Sequence, residues 1–248
     1  MEQRPDEALE PAAADARTSR GEGRQWPFWA SFGLNLVVAL LVVSLLQGFV
    51  IKVFNVPSGS MEQTLNVGDR ILVNRLAYAG GEPETGDVVV FEAEGDWEEA
   101  GAAPGGPLRR AAEFFGDLTG IGPSSHHYLV KRVIGTGGDT VECCGESGSV
   151  LVNGDPLEEP YIHNDYPFVR GARDCTSTGR SLRCFGPIDV PEDSLLVMGD
   201  HRSNSADSVI RCRGREPDGG ACLRPVDDDA VLGRVVLTIW PLGREGLD

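Results

Sequence analysis

The sequence predicts a mainly β protein: a compact antiparallel β core with an inserted β subdomain, preceded by one transmembrane helix. Three observations support this prediction. An uncharged run of residues separates Arg24 from Lys52. Short apolar runs rich in β-branched residues follow it, divided by glycine and proline, which is typical of sheets and barrels rather than βαβ units. A polar segment at about 142–187 interrupts these runs and contains four of the six cysteines.

The N-terminal part consists of two segments. Residues 1–25 have almost no large apolar side chain, so we expect a disordered cytoplasmic tail. Residues 26–51 supply the ~20 helical residues that a bilayer core of ~30 Å requires. Three arginines flank this run on its N-terminal side and only Lys52 on the other, which predicts a cytoplasmic N-terminus and an extracytoplasmic domain at 52–248. The alternatives are a cleaved signal peptide, whose apolar core is shorter, and a buried core helix.

The domain after the membrane run contains six runs typical of β-strands. They are Asp69–Ala77, Gly86–Phe91, Tyr128–Gly135, Val150–Gly154, Ser194–Met198 and Ala230–Trp240. The fourth run ends in Asn-Gly, the pair that a two-residue hairpin turn favours. Another short apolar strand, Val53–Val56, is expected directly after the membrane run. Between the strands we expect a solvated acidic loop at 92–106 and a short amphipathic helix at 108–118.

The six cysteines all lie beyond the membrane run, which fits disulfides in an oxidising compartment. Cys175 and Cys184 bracket a short loop and could bridge, and so could Cys212 and Cys222. Cys143 and Cys144 are adjacent, and their partners stay open because six cysteines allow 15 pairings. Metal binding is the weaker alternative, since no pair has CxxC spacing and no histidine is close to a cysteine. We predict neither a metal nor a cofactor.

The charge of the chain excludes one class of partner. There are 22 Lys+Arg against 38 Asp+Glu, a formal net charge of −16. A protein that grips nucleic-acid phosphates without regard to sequence needs a basic face. We therefore predict no nucleic-acid partner.

A candidate nucleophile lies in the stretch Phe54–Leu65, FNVPSGSMEQTL, where Ser58 and Ser60 flank Gly59. We expect a tight turn in which proline fixes φ and glycine adopts a φ that other residues resist, so that a serine hydroxyl is held outward. Such a turn alone is weak evidence for catalysis. A serine also needs a base to become a nucleophile.

Two residues are candidates for that base. His201 lies next to Asp200, the one place where a Ser/His/Asp arrangement is conceivable. Lys131 lies within the apolar strand YLVKRVIG, and the chain has two lysines in all, the other being Lys52. A lysine must lose about three pKa units through desolvation to act as a base near neutral pH. The residues alone leave open whether Lys131 does so or is an ordinary exposed strand lysine.

Four blocks, taken together and in order, give a specific resemblance. They are VPSGSMEQTL (Val56–Leu65), GDVVVF (Gly86–Phe91), KRVIGTGGD (Lys131–Asp139) and GDHRSNSADS (Gly199–Ser208). The chain resembles the bacterial type I signal peptidases, also called leader peptidases, which are membrane-anchored Ser–Lys proteases. VNG at Val152–Gly154 and EPYI at Glu159–Ile162 also fit, and the resemblance extends from the membrane run to Trp240.

The resemblance implies a role for each matching residue. Ser60 would be the nucleophile, Lys131 the general base, Ser58 an oxyanion-hole hydroxyl and Ser205 the residue that orients the lysine amine. The implied supporting residues are Arg132, Asp200 and Asp207. The implied apolar lining of the shallow substrate pockets is Phe54, Val56, Leu65 and Val130, each of which could equally be a packing residue.

The sequence departs from the commoner family pattern at three positions. Gln63 stands where proline is usual, Ser203 where Asp is frequent and Val209 where Arg is frequent. None of these touches Ser60 or Lys131, but they put in doubt the ion pair that Asp207 would make.

The function implied by the resemblance is the cleavage of N-terminal signal peptides from exported preproteins after an Ala-x-Ala site. The expected partners are these secretory preproteins and the lipid bilayer, and the expected location is the plasma membrane. The alternatives are a Ser–Lys protease with a specialised substrate, such as a pilin-type precursor, and a catalytically inactive, membrane-anchored β-domain that acts as a binding module.

Overall fold

The computed structural model describes residues 28–93, 126–216 and 218–243, together with 97, 106, 108, 109, 113, 114 and 116. The unit Leu41–Asp248 contains all of the described strands. The acidic loop and the amphipathic helix predicted at 92–106 and 108–118 lie mostly outside the described residues. The predicted tail at 1–25 lies wholly outside them.

Helix α1, Phe28–Phe49, is uncharged and rich in Leu and Val. At 1.5 Å per residue its 22 residues extend about 33 Å, which matches the thickness of a bilayer core. The section Phe28–Leu46 is long and apolar enough to cross a membrane, and none of it is buried within the protein. The burial contradicts a core helix. An apolar helix near the N-terminus can also be a signal sequence, so membrane anchoring stays a prediction.

The strands within the described residues are β1 Ile51–Asn55, β2 Arg70–Asn74, β3 Val88–Glu92, β4 Tyr128–Gly135, β5 Thr140–Cys143, β6 Val150–Val152, β7 Asp155–Pro156, β8 Phe185–Asp189, β9 Ser194–Met198, β10 Val226–Asp227 and β11 Val231–Trp240. Seven of them form the main sheet in the order β1-β2-β11-β3-β4-β9-β10, and every pairing is antiparallel. The mainly β, antiparallel fold class predicted from the sequence is confirmed.

Strand β3 shows why the apolar run VVVF is continuous rather than alternating. Val88 and Val90 belong to one apolar cluster, and Val89 and Phe91 belong to another. The main sheet is therefore covered on both faces along this strand, so every position is apolar. Strand β4 lies between β3 and β9 and is buried from Val130 to its end.

The second sheet has the order β7-β6-β5-β8 and extends from Thr140 to Asp189. Its apolar core also includes residues of the main sheet, such as Ile134 and Leu196. The turn between β6 and β7 is the predicted Asn-Gly turn, because Asn153 and Gly154 both have positive φ, 54° and 87°. The strands β5 and β8 were not predicted, since the polar turns around them hide their short apolar patterns.

All six cysteines are paired. Cys175 bonds to Cys184 and Cys212 to Cys222, the two short-loop pairings considered from the sequence. The adjacent residues Cys143 and Cys144 bond to each other across a cis peptide. Two of the three bridges lie within or beside the second sheet.

Candidate active site

The serine turn follows β1 directly and is a short 3-10 helix, Gly59–Met61. Ser60 is 7% exposed, and its carbonyl oxygen accepts a hydrogen bond of 3.0 Å from the backbone N–H of His201. The expectation that Gly59 adopts an unusual φ is wrong: the residue with positive φ is Gln63, at 84°. Proline, whose φ is fixed near −65°, could not occupy that position in this conformation.

Lys131 contacts Ser60 directly. The Nζ of Lys131 donates a hydrogen bond of 2.7 Å to Ser60 Oγ and another of 3.2 Å to the carbonyl oxygen of Val130. Lys131 is 3% exposed and is paired with Val89 across the sheet. The alternative of an exposed strand lysine is therefore contradicted.

The surroundings of Lys131 favour its neutral form. Burial lowers the pKa of Lys131 from its usual value to about 8. The negative charges of Asp207 and Asp200 act in the opposite direction, and the positive charge of Arg224 adds to the lowering. With this pKa, about a tenth of Lys131 is unprotonated at pH 7, and a general base must be unprotonated to act.

Ser58 lies beside this pair but is exposed. Its backbone is extended, with φ −131° and ψ 157°, so it stands just before the 3-10 turn begins. The hydroxyl oxygens of Ser58 and Ser60 are 3.4 Å apart. The Ser58 hydroxyl is therefore close to where the carbonyl oxygen of a bound peptide would meet Ser60.

Ser205 is buried next to the serine turn but does not bond to Lys131. Within the part of the chain that the structure describes, its Oγ has no hydrogen-bond partner. A Cβ added at Gly199 would lie 2.3 Å from Ser205 Oγ and 2.5 Å from the carbonyl oxygen of Ser60. The absence of a side chain at Gly199 thus lets the segment Gly199–Ser208 pack against Ser60, while the lysine-orienting role of Ser205 stays a prediction.

Arg132 and Asp200 form a fully buried ion pair next to Lys131. The Nε and Nη2 of Arg132 donate to the two carboxylate oxygens of Asp200 at 2.9 and 2.8 Å. Thr64 Oγ1 also donates to Asp200 at 2.6 Å, and the guanidinium lies 3.8 Å from the ring centroid of Tyr161. This cluster connects strand β4, the segment Gly199–Ser208 and the end of the serine turn.

Asp207 has an ion-pair partner despite the departure at Val209. Arg213 Nη2 donates to Asp207 at 3.1 Å, and both side chains are buried. Val209 is itself fully buried in the apolar core. At Ser203, the remaining departure from the common family pattern, the side-chain Oγ donates a hydrogen bond of 2.9 Å to the carbonyl oxygen of Asn164.

The four predicted pocket residues meet in one apolar cluster. Val56, Leu65 and Val130 are buried in it, and Phe54 is half-buried against Tyr128 with ring centroids 4.9 Å apart. Packing therefore accounts for the three buried residues. Their part in binding substrate stays a prediction.

The Ser/His/Asp alternative does not form. The carboxylate of Asp200 binds Arg132 and Thr64, while Nδ1 of His201 lies 3.0 Å from Glu62. Asp200 therefore does not orient the His201 ring, and only the backbone of His201 bonds to Ser60.

Sequence reasoning missed four residues that support the site. They are Glu62, Thr64, Tyr161 and Arg213. Glu62, Thr64 and Tyr161 lie within the blocks that matched the family, so they could have been examined as candidates. No local signal pointed to Arg213, because its partnership with Asp207 depends on how the loop after the GDHRSNSADS block folds back.

Comparison with known proteins gives a consistent result. A family model described as "Signal peptidase, peptidase S26" matches residues 29–240. A "Probable signal peptidase I" of Mycobacterium leprae is 33% identical over 94% of this chain and 84% of its own length. A "Signal peptidase I" of Mycobacterium tuberculosis is 33% identical over 98% and 83%. A solved signal peptidase I from Enterococcus faecalis is 21% identical, covers 62% of this chain and 96% of its own, and has a TM-score of 0.32, too low to bear on the fold.

Proposed function

This chain belongs to the signal peptidase family, peptidase S26, and from that premise we propose that it is a membrane-bound serine endopeptidase that removes N-terminal signal peptides from exported preproteins. The family and the enzyme class predicted from the sequence are confirmed by the comparisons. The catalytic residues, the cleavage site and the membrane topology are the parts that we propose.

One observation carries the proposed mechanism: the buried Lys131 Nζ lies 2.7 Å from the Ser60 hydroxyl oxygen. When Lys131 is neutral it accepts the Ser60 proton, and Ser60 Oγ attacks the carbonyl carbon at the cleavage site. The lowered pKa of Lys131, about 8, makes this neutral form accessible at physiological pH.

Charge then develops on the carbonyl oxygen of the substrate. The Ser58 hydroxyl and the backbone N–H of Ser60 are the donors that we assign to this oxyanion. Stabilisation of such charge by preorganised donors is usually the largest single contribution to catalysis. Protonated Lys131 next gives its proton to the leaving amine, and water activated by the neutral lysine hydrolyses the acyl-enzyme.

We assign the substrate class from the relatives that are named signal peptidase I. The half-buried Phe54, which packs against the apolar cluster beside the dyad, is the surface that we assign to the small side chains of an Ala-x-Ala site. Helix α1 ends at Phe49, eleven residues before Ser60. As a membrane anchor with its N-terminus in the cytoplasm, it would hold Ser60 near the outer membrane face, where a translocated signal peptide ends.

The test uses the full chain, solubilised in detergent, with an exported preprotein as substrate. Ser60→Ala and Lys131→Ala are each expected to lower the cleavage rate by about 10⁴-fold or more. Ser58→Ala should lower it by about 10²–10³-fold, with a smaller effect on KM. The product is sequenced from its N-terminus to locate the cut.

The chain supplies a matched control, because Lys52 is its other lysine. Lys52→Ala should retain most of the activity. Full activity in Lys131→Ala would disprove the dyad, and a cut away from small residues at −3 and −1 would disprove the substrate assignment. Uncleaved preprotein with a correctly folded wild-type chain would favour the binding module instead.

A further inference from the structure

A second group of side chains meets beside Ser60 and takes no part in the proposed chemistry. Glu62, His163 and His201 each place one potential ligand atom within 4.8 Å of the other two. Nδ1 of His201 and the carboxylate of Glu62 are 3.0 Å apart. The rings of His163 and His201 meet edge to face, with centroids 5.0 Å apart. The three residues are far apart in the sequence, so no ligand spacing indicated this group.

Backbone hydrogen bonds fix the positions of the three residues. The N–H of His163 donates to the carbonyl oxygen of Asp200 at 2.8 Å, and the N–H of His201 donates to Ser60 at 3.0 Å. These bonds make His163 and His201 neighbours in a short parallel bridge. Glu62 follows the 3-10 turn directly and is held by its own N–H, which donates to the carbonyl oxygen of Gly59 at 3.1 Å. Side chains carried on a backbone fixed in this way lose little freedom when they bind a common ligand.

The group is accessible, and nearby charges are already balanced. The side chain of Glu62 is 47% exposed and that of His201 is 12% exposed, so an ion can enter from solvent. The neighbouring carboxylate of Asp200 is paired with Arg132, and that of Glu159 with Arg202. The Glu62 carboxylate therefore remains as the charge that a cation would meet at this place.

Two imidazoles and one carboxylate are a ligand set that zinc binds in proteins, with a fourth position left for water. Four-coordinate zinc holds its ligand atoms about 2.0–2.1 Å from the metal, hence roughly 3.3 Å from one another. The His201–Glu62 separation of 3.0 Å is already close to this value. Rotation of the His163 and Glu62 side chains would bring the remaining ligand atoms, which now lie within 4.8 Å of one another, to this separation.

We propose that Glu62, His163 and His201 form a binding site for a divalent transition-metal ion such as Zn²⁺. The ion connects three segments: the serine turn, the part of the chain after the second sheet's β7, and the GDHRSNSADS block. Since it binds only where these segments meet, it stabilises the folded state, and this stabilisation grows with the logarithm of the ion concentration once the site is mostly occupied. The site does not depend on the proposed peptidase activity.

The experiment titrates ZnCl₂ into the full chain in detergent, without a polyhistidine tag, a chelator or a reductant. Calorimetry should give one site per chain, and the melting temperature should rise with zinc concentration. His163→Ala, His201→Ala and Glu62→Gln should each weaken binding by at least about tenfold. Replacement of Zn²⁺ by Co²⁺ should give the visible absorption of a four-coordinate ion with nitrogen and oxygen ligands.

His126→Ala is the matched control, because this histidine also contacts a glutamate, Glu92, but lies outside the group. It should bind Zn²⁺ as the wild type does. Glu62→Gln keeps the proposal testable if a histidine variant misfolds, since it changes one half-exposed carboxylate; circular dichroism and metal-free melting check each fold. The proposal would be overturned if the wild type bound no Zn²⁺ at 100-fold molar excess. It would also be overturned if all three variants bound Zn²⁺ as tightly as the wild type.

Discussion

Lys131 and Arg132 are adjacent on strand β4 and almost equally buried, at 3% and 6% exposed, yet their surroundings differ completely. Arg132 donates two hydrogen bonds to the carboxylate of Asp200 and rests on Tyr161. Lys131 donates to a hydroxyl and a carbonyl group only. The comparison teaches that two buried cations can be accommodated in two ways. A guanidinium, which does not deprotonate in proteins, is buried here with a directly bonded carboxylate, whereas Lys131 has no directly bonded carboxylate and burial lowers its pKa.

The largest difference between the two cations should appear when each is replaced, in a separate variant, by the other residue type. Lys131→Arg places a guanidinium that cannot deprotonate at the position of the base, so we expect activity to fall by about 10⁴-fold or more. Arg132→Lys retains the charge and the base at Lys131, and should leave measurable cleavage. The measurement is kcat for a preprotein in both variants. Activity retained in Lys131→Arg would show that Lys131 acts only as a cation.

Removal of the Asp200 carboxylate, which pairs with Arg132, should mostly affect the stability of the fold. Asp200→Asn leaves the guanidinium of Arg132 buried without a counter-charge, and we expect it to lower the free energy of unfolding by about 3–5 kcal/mol. Denaturant unfolding measures this difference. Asp155→Asn, in the exposed strand β7, is the control and should change stability by less than about 0.5 kcal/mol. An equally small effect of Asp200→Asn would mean that the ion pair is not formed in solution.

The lowered pKa of Lys131 predicts that the cleavage rate depends on pH. The proposed mechanism requires neutral Lys131, whose pKa is about 8, so kcat/KM should rise with pH and level off above that value. At two pH units below the pKa, the rate should be about 100-fold lower, because the neutral fraction falls tenfold per unit. Asp207→Asn removes a negative charge that raises this pKa, so its profile should shift to lower pH. A flat profile between pH 6 and 9 would contradict the assignment of the base.

The smallest expected effect concerns the hydroxyl that completes the Asp200 cluster. Thr64→Val removes the 2.6 Å hydrogen bond to Asp200, and should lower the free energy of unfolding by about 1.5–3 kcal/mol. Thr140→Val removes a similar bond to Asp189 that is exposed to water. Its effect should be smaller, since water replaces the lost partner. Equal effects in the two variants would show that burial does not strengthen the Thr64 bond.

The sequence was informative wherever the relevant signal was local. Strand Ser194–Met198 and the turn at Asn153 and Gly154 were predicted from adjacent residues alone. The scarcity of lysine narrowed the choice of base, but periodicity could not decide whether Lys131 was exposed. Strand β4 is buried along most of its length, so its side chains do not alternate between apolar and polar.

The parts that could not be predicted depend on contacts between distant segments. The partnership of Arg213 with Asp207 and the meeting of His163 with His201 both require loops to return to the sheet. The bond between Cys143 and Cys144 was one of many pairings that the count allowed. Gly59 misled the prediction of the turn, because the tight 3-10 helix needed no left-handed residue there and the positive φ fell on Gln63.

The hydrogen bond from His201 to the Ser60 carbonyl determines how much of the chain must be made before the surroundings of Ser60 can form. Ser60 leaves the ribosome early, but Lys131 follows 71 residues later and His201 later still. Strand β4 also needs β9 on its far edge before it is enclosed. A nascent chain that exposes Ser60 therefore lacks both the proposed base, Lys131, and the hydrogen bond from His201 to the Ser60 carbonyl oxygen. With Ser60 and Lys131 as the proposed dyad, the emerging chain has no complete site until most of it has been made.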